Sequence, residues 1–313
     1  MRNGLMRNRL TPHTLIPNNQ GFPVIRRLGV EDLKSCTALC VDRGWWPERG
    51  KWGLLLVASE AYGIDAPDGE GIAGSVVVTR WGTDRAAIGM VLVASRFGGM
   101  GLGRALMEHA LNAAGEDTAV SLFATDSGRP LYDKLGFKPV RRSVAFRGHF
   151  RGPQASGGKK SEAQANAAGT PGNVRVATEA DLPAILTLDR AAYGADRERI
   201  LTRLPAFAER ILLFETSEGI VGYAAAWRTE AFLVIGPLVA PDGQAARRLV
   251  TELAAGSPVA IRLDLDPDRP ELPGWARSCG LMATERTVAM TRGDLTGRGI
   301  PELVYTPISV AMA

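Results

Sequence analysis

The sequence repeats itself, and this constrains the fold more than any single motif. Pro23-Val24-Ile25-Arg26, leading to Glu31-Asp32-Leu33, returns as Asn173-Val174-Arg175-Val176 leading to Glu179-Ala180-Asp181-Leu182. Gly71-Ile72-Ala73-Gly74-Ser75-Val76 returns as Gly219-Ile220-Val221-Gly222-Tyr223-Ala224. Ile88 to Ala94 returns as Leu233 to Ala240, and Leu135-Gly136-Phe137 to Val144-Ala145-Phe146 returns as Cys279-Gly280-Leu281 to Val288-Ala289-Met290. Chance accounts for one such echo between short apolar runs, not for four in the same order. The chain is therefore read as a tandem duplication with a period of about 147 residues.

The expected units are a tail over 1–21, a first domain over 22–150, a linker over 151–172 and a second domain over 173–313. The linker is rich in Gly, Ser, Lys, Ala and Pro and lacks apolar anchors, the composition of a flexible connector. The tail carries Arg2, Arg7 and Arg9 without the apolar stretch of a secretory signal. No apolar run reaches the roughly 18 residues of a membrane span. Net charge is +4, without the clustered basic and aromatic residues of a nucleic-acid surface. Three cysteines, Cys36, Cys40 and Cys279, are too few and odd in number for a disulfide framework, which points to a reducing cytoplasm. Cys36 and Cys40 stand one helical turn apart with no nearby His, so they read as core residues, and no metal site is expected.

Along the first unit, Val24 to Leu28 reads as a strand, and Glu31-Asp32-Leu33 opens a helix with Leu33, Cys36, Leu39 and Cys40 on its apolar face that breaks at Gly44. Leu54 to Ala58 fits a strand or a buried helix end. Gly71–Thr79 and Ala86–Val93 read as two strands around a Gly82-Thr83-Asp84 turn. A helix over about Leu102 to Ala114, a strand over Ala119 to Phe123, a short helix over Gly128 to Leu135 and a closing strand over Val144 to Arg147 follow. Between the Val91-Leu92-Val93 run and the helix lies Gly98-Gly99-Met100-Gly101-Leu102-Gly103-Arg104. Glycines there leave backbone N–H groups uncovered, and a helix start adds unpaired donors and a partial positive charge. Such a turn suits a phosphate or pyrophosphate. A dinucleotide fingerprint is the competing reading, but that motif opens a βαβ domain, and this one follows a hairpin. No Gly-Lys-Ser/Thr follows the glycines, which excludes a Walker A loop.

These residues resemble the GNAT family of acetyl-CoA-dependent N-acyltransferases, whose signature is Q/R-x-x-G-x-G/A followed by a helix. Gly98 to Gly103 supplies it in the favoured register, with Gly98 where the family has Gln or Arg. Arg96 is then a candidate substitute cation. Tyr132, ahead of Gly136-Phe137, matches a second family feature. The resemblance implies an α+β fold: two tandem GNAT units, each a splayed, mostly antiparallel mixed sheet flanked by helices. It further implies acetyl-CoA bound by the backbone of Val91, Leu92 and Val93, by Gly98, Gly99, Met100, Gly101, Leu102, Gly103 and Arg104, and by Thr125.

In that reading Tyr132 protonates the leaving thiolate; otherwise it is an ordinary half-buried helix aromatic. Thr125 either touches the cofactor or caps the next helix. Trp45 and Trp46 are either core or the wall of the acceptor pocket. Phe146 and His149 are further candidates there. No general base stands out: Asp84, Asp126 and Glu48 are loop carboxylates. The second unit has lost the chemistry, with Pro241 and Asp242 in its turn and Ala276 where Tyr132 would fall. The implied activity is acetyl transfer to the amine of a small molecule, by a cytoplasmic monomer or homodimer without nucleic-acid or membrane partners. A non-catalytic acyl-CoA sensor and a protein or peptide acetyltransferase are the alternatives.

Overall fold

The computed structural model describes residues 23–152, 169–295 and 298–312. The expected tail and most of the expected linker lie outside the described residues. The first repeat runs β1 (Ile25–Arg27), α1 (Leu33–Asp42), α2 (Arg49–Ala58), β2 (Glu60–Asp65), β3 (Ile72–Trp81), β4 (Arg85–Val93), α3 (Leu102–Ala114), β5 (Ala119–Ala124), α4 (Arg129–Lys134) and β6 (Lys138–Gly148). The second runs β7 (Asn173–Val176), α5 (Leu182–Tyr193), α6 (Glu198–Leu201), α7 (Leu204–Phe207), β8 (Arg210–Thr216), β9 (Gly219–Arg228), β10 (Leu233–Val239), α8 (Gly243–Ala254), β11 (Ile261–Leu265), α9 (Pro273–Ser278), β12 (Met282–Arg292) and β13 (Val304–Thr306). Leu54 to Ala58 is helix, the last turns of α2: Leu54, Leu55, Leu56 and Ala58 are buried at helical spacing.

The duplication extends to matched side-chain clasps. In the first repeat Arg26 donates to Asp32 at 2.7 Å and to Asp65 at 2.9 Å, and the Gly29 N–H donates to Asp32 at 3.0 Å. In the second, Arg175 donates to Asp181 at 2.7 Å and to Glu215 at 2.9 Å, and the Thr178 N–H donates to Asp181 at 2.8 Å. Each aspartate satisfies an orphan donor at a helix start while neutralising an arginine of the neighbouring strand. The arginine's hydrogen bond is in both cases the main cause holding the carboxyl below its ordinary range.

The strands form one sheet in the order β1-β2-β3-β4-β5-β12-β6-β11-β10-β9-β8-β7, with β13 added against β10. The closing strands have crossed over. β6 does not return to β5: it pairs with β12 and β11, and β12 takes the place beside β5. Side chains follow the strands. Val144 and Phe146 of β6 pack in the second repeat's core, and Met290 of β12 packs in the first.

Each repeat also presents a hairpin to the other's helices. Glu230, in the β9–β10 turn, accepts from the Glu48 and Arg49 N–H groups at 3.1 and 3.3 Å, capping the start of α2. Arg85, beside the β3–β4 turn, donates to the Tyr193 carbonyl at 2.8 Å, at the end of α5.

Within each repeat the sheet opens at the same place. β4 and β5 run parallel and pair only through Arg85–Ala87 and Ala119–Ser121. β10 and β11 pair only through Leu233–Val234 and Ile261–Arg262. Beyond those pairs the strands separate and leave a cleft.

Candidate active site

The first cleft is bordered by a bulged strand. Val77 pairs with Gly89 and Ser75 with Leu92, so Met90 and Val91 are left without partners in the β3 register. Met90 is in the left-handed region at φ 51°, an uncommon conformation for a non-glycine residue that turns the strand locally. The Ser75 hydroxyl donates to the Met90 carbonyl at 2.9 Å and braces the bulge. Val91, Leu92 and Val93 follow on the open edge, where they could meet an extended ligand as an added strand would.

After β4 comes a single helical turn, Ser95–Phe97, and then the glycines. Gly99 and Gly101 have φ of 78° and 79°, a conformation that excludes most side chains, and no atom lies within 4 Å of where their Cβ would stand. Gly98, at φ −61°, is not in that region. Its N–H donates to Ser95 O at 3.2 Å, and the Ala105 N–H donates to Gly101 O at 3.1 Å. Among the described residues, the amides from Gly99 to Arg104 make no turn or capping bond between those two. They form an open row of donors at the positive end of α3.

Gly103 joins the parts of the site. A Cβ there would lie 3.7 Å from both Leu131 of α4 and Val93 of β4. The glycine turn, the end of β4 and the helix of Tyr132 thus meet at one point. Tyr132 is buried, its ring against Gly128 and edge-on to Phe137 with centroids 6.1 Å apart. Burial pushes its phenol up to about 12.

The other expected residues fall in varied places. Arg104 pairs with Glu108 on the α3 surface at 3.2 Å. Met100 is exposed at the loop tip. Thr125 accepts from the Gly128 N–H at 3.3 Å through its hydroxyl, within the turn that leads into α4. Trp45 and Trp46 are exposed, which excludes the core reading; Trp46 meets Phe232 of the second repeat edge-on at 6.3 Å. The buried tryptophan of this region is Trp52, whose indole N–H donates to Cys40 Sγ at 3.1 Å.

Arg96 does not serve the glycine turn: it pairs with Asp68 at 3.1 Å and lies over Phe97. Two of the loop carboxylates are also committed, Asp84 to Arg298 and Glu48 to Lys51, while Asp126 is exposed. No helix among the described residues is long and apolar enough to cross a membrane.

The second cleft is closed from within. Asp242 caps α8, its carboxylate accepting from the Gln244 and Ala245 N–H groups at 2.9 and 2.8 Å and from Thr170 at 2.7 Å. That anion occupies the end of the helix where a phosphate would have to sit. β13 lies antiparallel on β10, pairing Thr306 with Leu238 and Val304 with Val239 on the strand edge that the first repeat leaves open. These residues do not fit a nucleotide cofactor.

Comparison with known proteins agrees with this geometry. A model of the acetyltransferase (GNAT) family matches residues 30–137, and a model of an acetyltransferase (GNAT) domain matches residues 185–305. The chain belongs to the GNAT family. It carries two such domains in tandem and is an acetyltransferase, of a family that uses acetyl-CoA.

An uncharacterized N-acetyltransferase of Bacillus subtilis, YitH, is 28% identical over 249 residues, covering 79% of this chain and 83% of its own. In fold the chain resembles a candidate acetyltransferase from Pyrococcus horikoshii, with a TM-score of 0.75 at 17% identity over 96% of this chain and 99% of that one. It also resembles a tandem GNAT protein from the clavulanic acid biosynthesis pathway, with a TM-score of 0.58 at 15% identity over 86% and 98%.

One property of this GNAT chain follows chiefly from burial. All of its tyrosines, Tyr62, Tyr132, Tyr193, Tyr223 and Tyr305, titrate above their ordinary value, and burial is the leading cause in each. Unfolded tyrosines ionise near ~10. Above that pH the unfolded chain holds fewer protons than the native one, so stability falls as pH rises through the window between the two. Tyrosinate absorbance should stay nearly flat through pH ~10 and then rise together with loss of the fold. A smooth, reversible rise centred near ~10 in the folded protein would contradict the burial assignment.

Proposed function

We propose that the first repeat transfers the acetyl group of acetyl-CoA to the amine of a small molecule, by direct attack while both substrates are bound. The observation that carries this is the contrast between the clefts. The first has an open donor row and an open strand edge; the second has a carboxylate and β13 in those places. The enclosure of the first repeat's helical face by the β9–β10 hairpin favours a small acceptor over a protein surface.

Acetyl-CoA, when bound, supplies the thioester. In this reading the amides from Gly99 to Arg104 hold the pyrophosphate, with Gly98 lending no side chain. Val91 to Val93 pair with the pantetheine amides. Backbone donors at the Met90–Val91 bulge face the carbonyl oxygen on which negative charge develops. The amine nitrogen forms the new C–N bond as the C–S bond breaks.

Tyr132 holds a proton at its hydroxyl for the departing sulfur. With its phenol near 12 and a free thiol near ~8.5, full transfer from Tyr132 is uphill on its own. It is completed as the acylated nitrogen sheds its own proton, which restores the Tyr132 hydroxyl, so that a neutral amine yields amide and thiol with no net proton left over. Trp45 and Trp46 then border the acceptor's entrance, and Thr125, at the end of β5, touches the cofactor's arm.

The cradle can be tested by Gly101→Val. A β-branched residue at φ 79° is strained and fills the open space over the donor row. Calorimetry with acetyl-CoA should show micromolar-range binding to the full chain and at least a tenfold loss in the variant, roughly 1.4 kcal/mol. Absence of acetyl-CoA binding to the unmodified chain would sink the proposal.

A further inference from the structure

The segment after β13 is used by none of this chemistry, yet it is buried. Ile308 and Met312 are fully enclosed, and Ser309 and Ala311 nearly so. It is folded as a turn: the Met312 N–H donates to Ser309 O at 2.9 Å and the Ala311 N–H to the Ser309 hydroxyl at 3.2 Å. The Trp227 indole N–H anchors it on Ile308 O at 3.3 Å.

β10 carries a matching bulge, its register with β9 shifting between Ile235 and Leu238, and the segment touches both bulged strands in the same way. A Cβ on Gly236 would lie 2.1 Å from Pro307 O, and a Cβ on Gly89 would lie 2.2 Å from Ala311 O. Having left the closed second cleft, the chain therefore crosses to the first repeat and ends its turn on Gly89, the residue before Met90. The face can be assigned. Gly89 pairs with Val77, and the next pair on that face, Ala87 and Thr79, lies under the end of α2, where the Thr79 hydroxyl meets Ser59 at 2.9 Å. α3 covers the opposite face: a Cβ on Gly74 would meet Leu106.

We infer that the Ser309–Met312 turn is the second repeat's contribution to the first repeat's reaction centre: a wall on the α2 face of the bulge that excludes water and limits acceptor size. This rests on the reading that the first repeat is the active one. The turn sets Ala311 against Gly89, packs Met312 into the apolar cluster that also holds Met90 and Leu92, and has no charged side chain of its own, so the part of the acceptor next to its amine is small and apolar.

Gly89→Ala tests this without knowledge of the acceptor. Gly89 is outside the left-handed region, so alanine suits its backbone, and the added methyl runs into the Ala311 main chain, with the carbonyl O at 2.2 Å and Cα at 3.0 Å, which must move away. Three quantities are read on the full chain. Hydrogen exchange of peptides covering 309–312 should accelerate. Release of coenzyme A thiol from acetyl-CoA without any amine should rise tenfold or more, as water adds to the thioester carbon and acetate leaves with the C–S bond broken. Acetyl-CoA affinity by calorimetry should stay within twofold.

Gly53→Ala, in α2 with nothing near its Cβ, serves as the unperturbed reference. Met312→Ala leaves β4 untouched and should move exchange and hydrolysis in the same direction to a smaller extent. Unchanged hydrolysis in both variants, with or without faster exchange, overturns the inference. Loss of acetyl-CoA binding in the unmodified chain overturns the underlying reading instead.

Discussion

Tyr132→Phe should lower turnover about 100-fold while acetyl-CoA binds within twofold of its original affinity. The substitution keeps the ring, and with it the contacts to Gly128 and the edge-on packing with Phe137. Only the hydroxyl is lost, so folding should change little. The magnitude sits at the low end for general acid catalysis because a thiolate leaves without full protonation.

That gives the variant a signature a structural role would not produce. Acetyl thioesters of more acidic thiols need less help, so the variant's deficit should shrink along such a series. A second signature is in the pH profile. Burial holds the phenol near 12, so the unmodified enzyme should show no decline near pH ~10 arising from this group. A deficit constant across leaving groups, or no deficit at all, would return Tyr132 to a packing role.

The glycine turn was legible in the sequence because its requirement is local. Only glycine sits readily at φ near 78° before a helix, and Gly99 and Gly101 declare this in the residue names. The helix over Leu102–Ala114 was legible for the same kind of reason, with Leu102, Leu106, Met107, Ala110 and Leu111 at helical spacing and Gly115 closing it.

What stayed hidden depends on distant partners. Arg96 looked available for phosphate, but Asp68, remote in sequence, claims it. β2 was missed because Gly63 interrupts its pattern; the glycine is there because Leu28 presses on that strand, 2.8 Å from where a Cβ would stand. β13 is three residues long and exists because β10 offers an edge. The crossing of β6 and β12 is the clearest case. Both closing strands carry similar apolar patterns, and similarity is what allows either to sit beside β5. The duplication was visible; which copy completes which sheet was not.

That crossing has a consequence for the isolated halves. Residues 23–152 alone lose β12 from beside β5 and lose both neighbours of β6. Phe146 and Val144 lose the second core, and the first core loses Met290, Ile308 and Met312. At about 1.5–3 kcal/mol for each large buried side chain, these five losses reach the ~5–15 kcal/mol that holds a domain together. The half also exposes a long strand edge, a template for another chain.

The expected result is that residues 23–152 expressed alone either aggregate or recover as a dimer, two copies of β6 meeting where β6 and β12 meet in the full chain. Supplying residues 169–313 by co-expression should yield a soluble one-to-one complex that binds acetyl-CoA as the intact chain does. Light scattering and calorimetry distinguish these states. A folded monomer of residues 23–152 with full acetyl-CoA affinity would show that β6 can return to β5, and that the exchanged sheet is not needed to build the site.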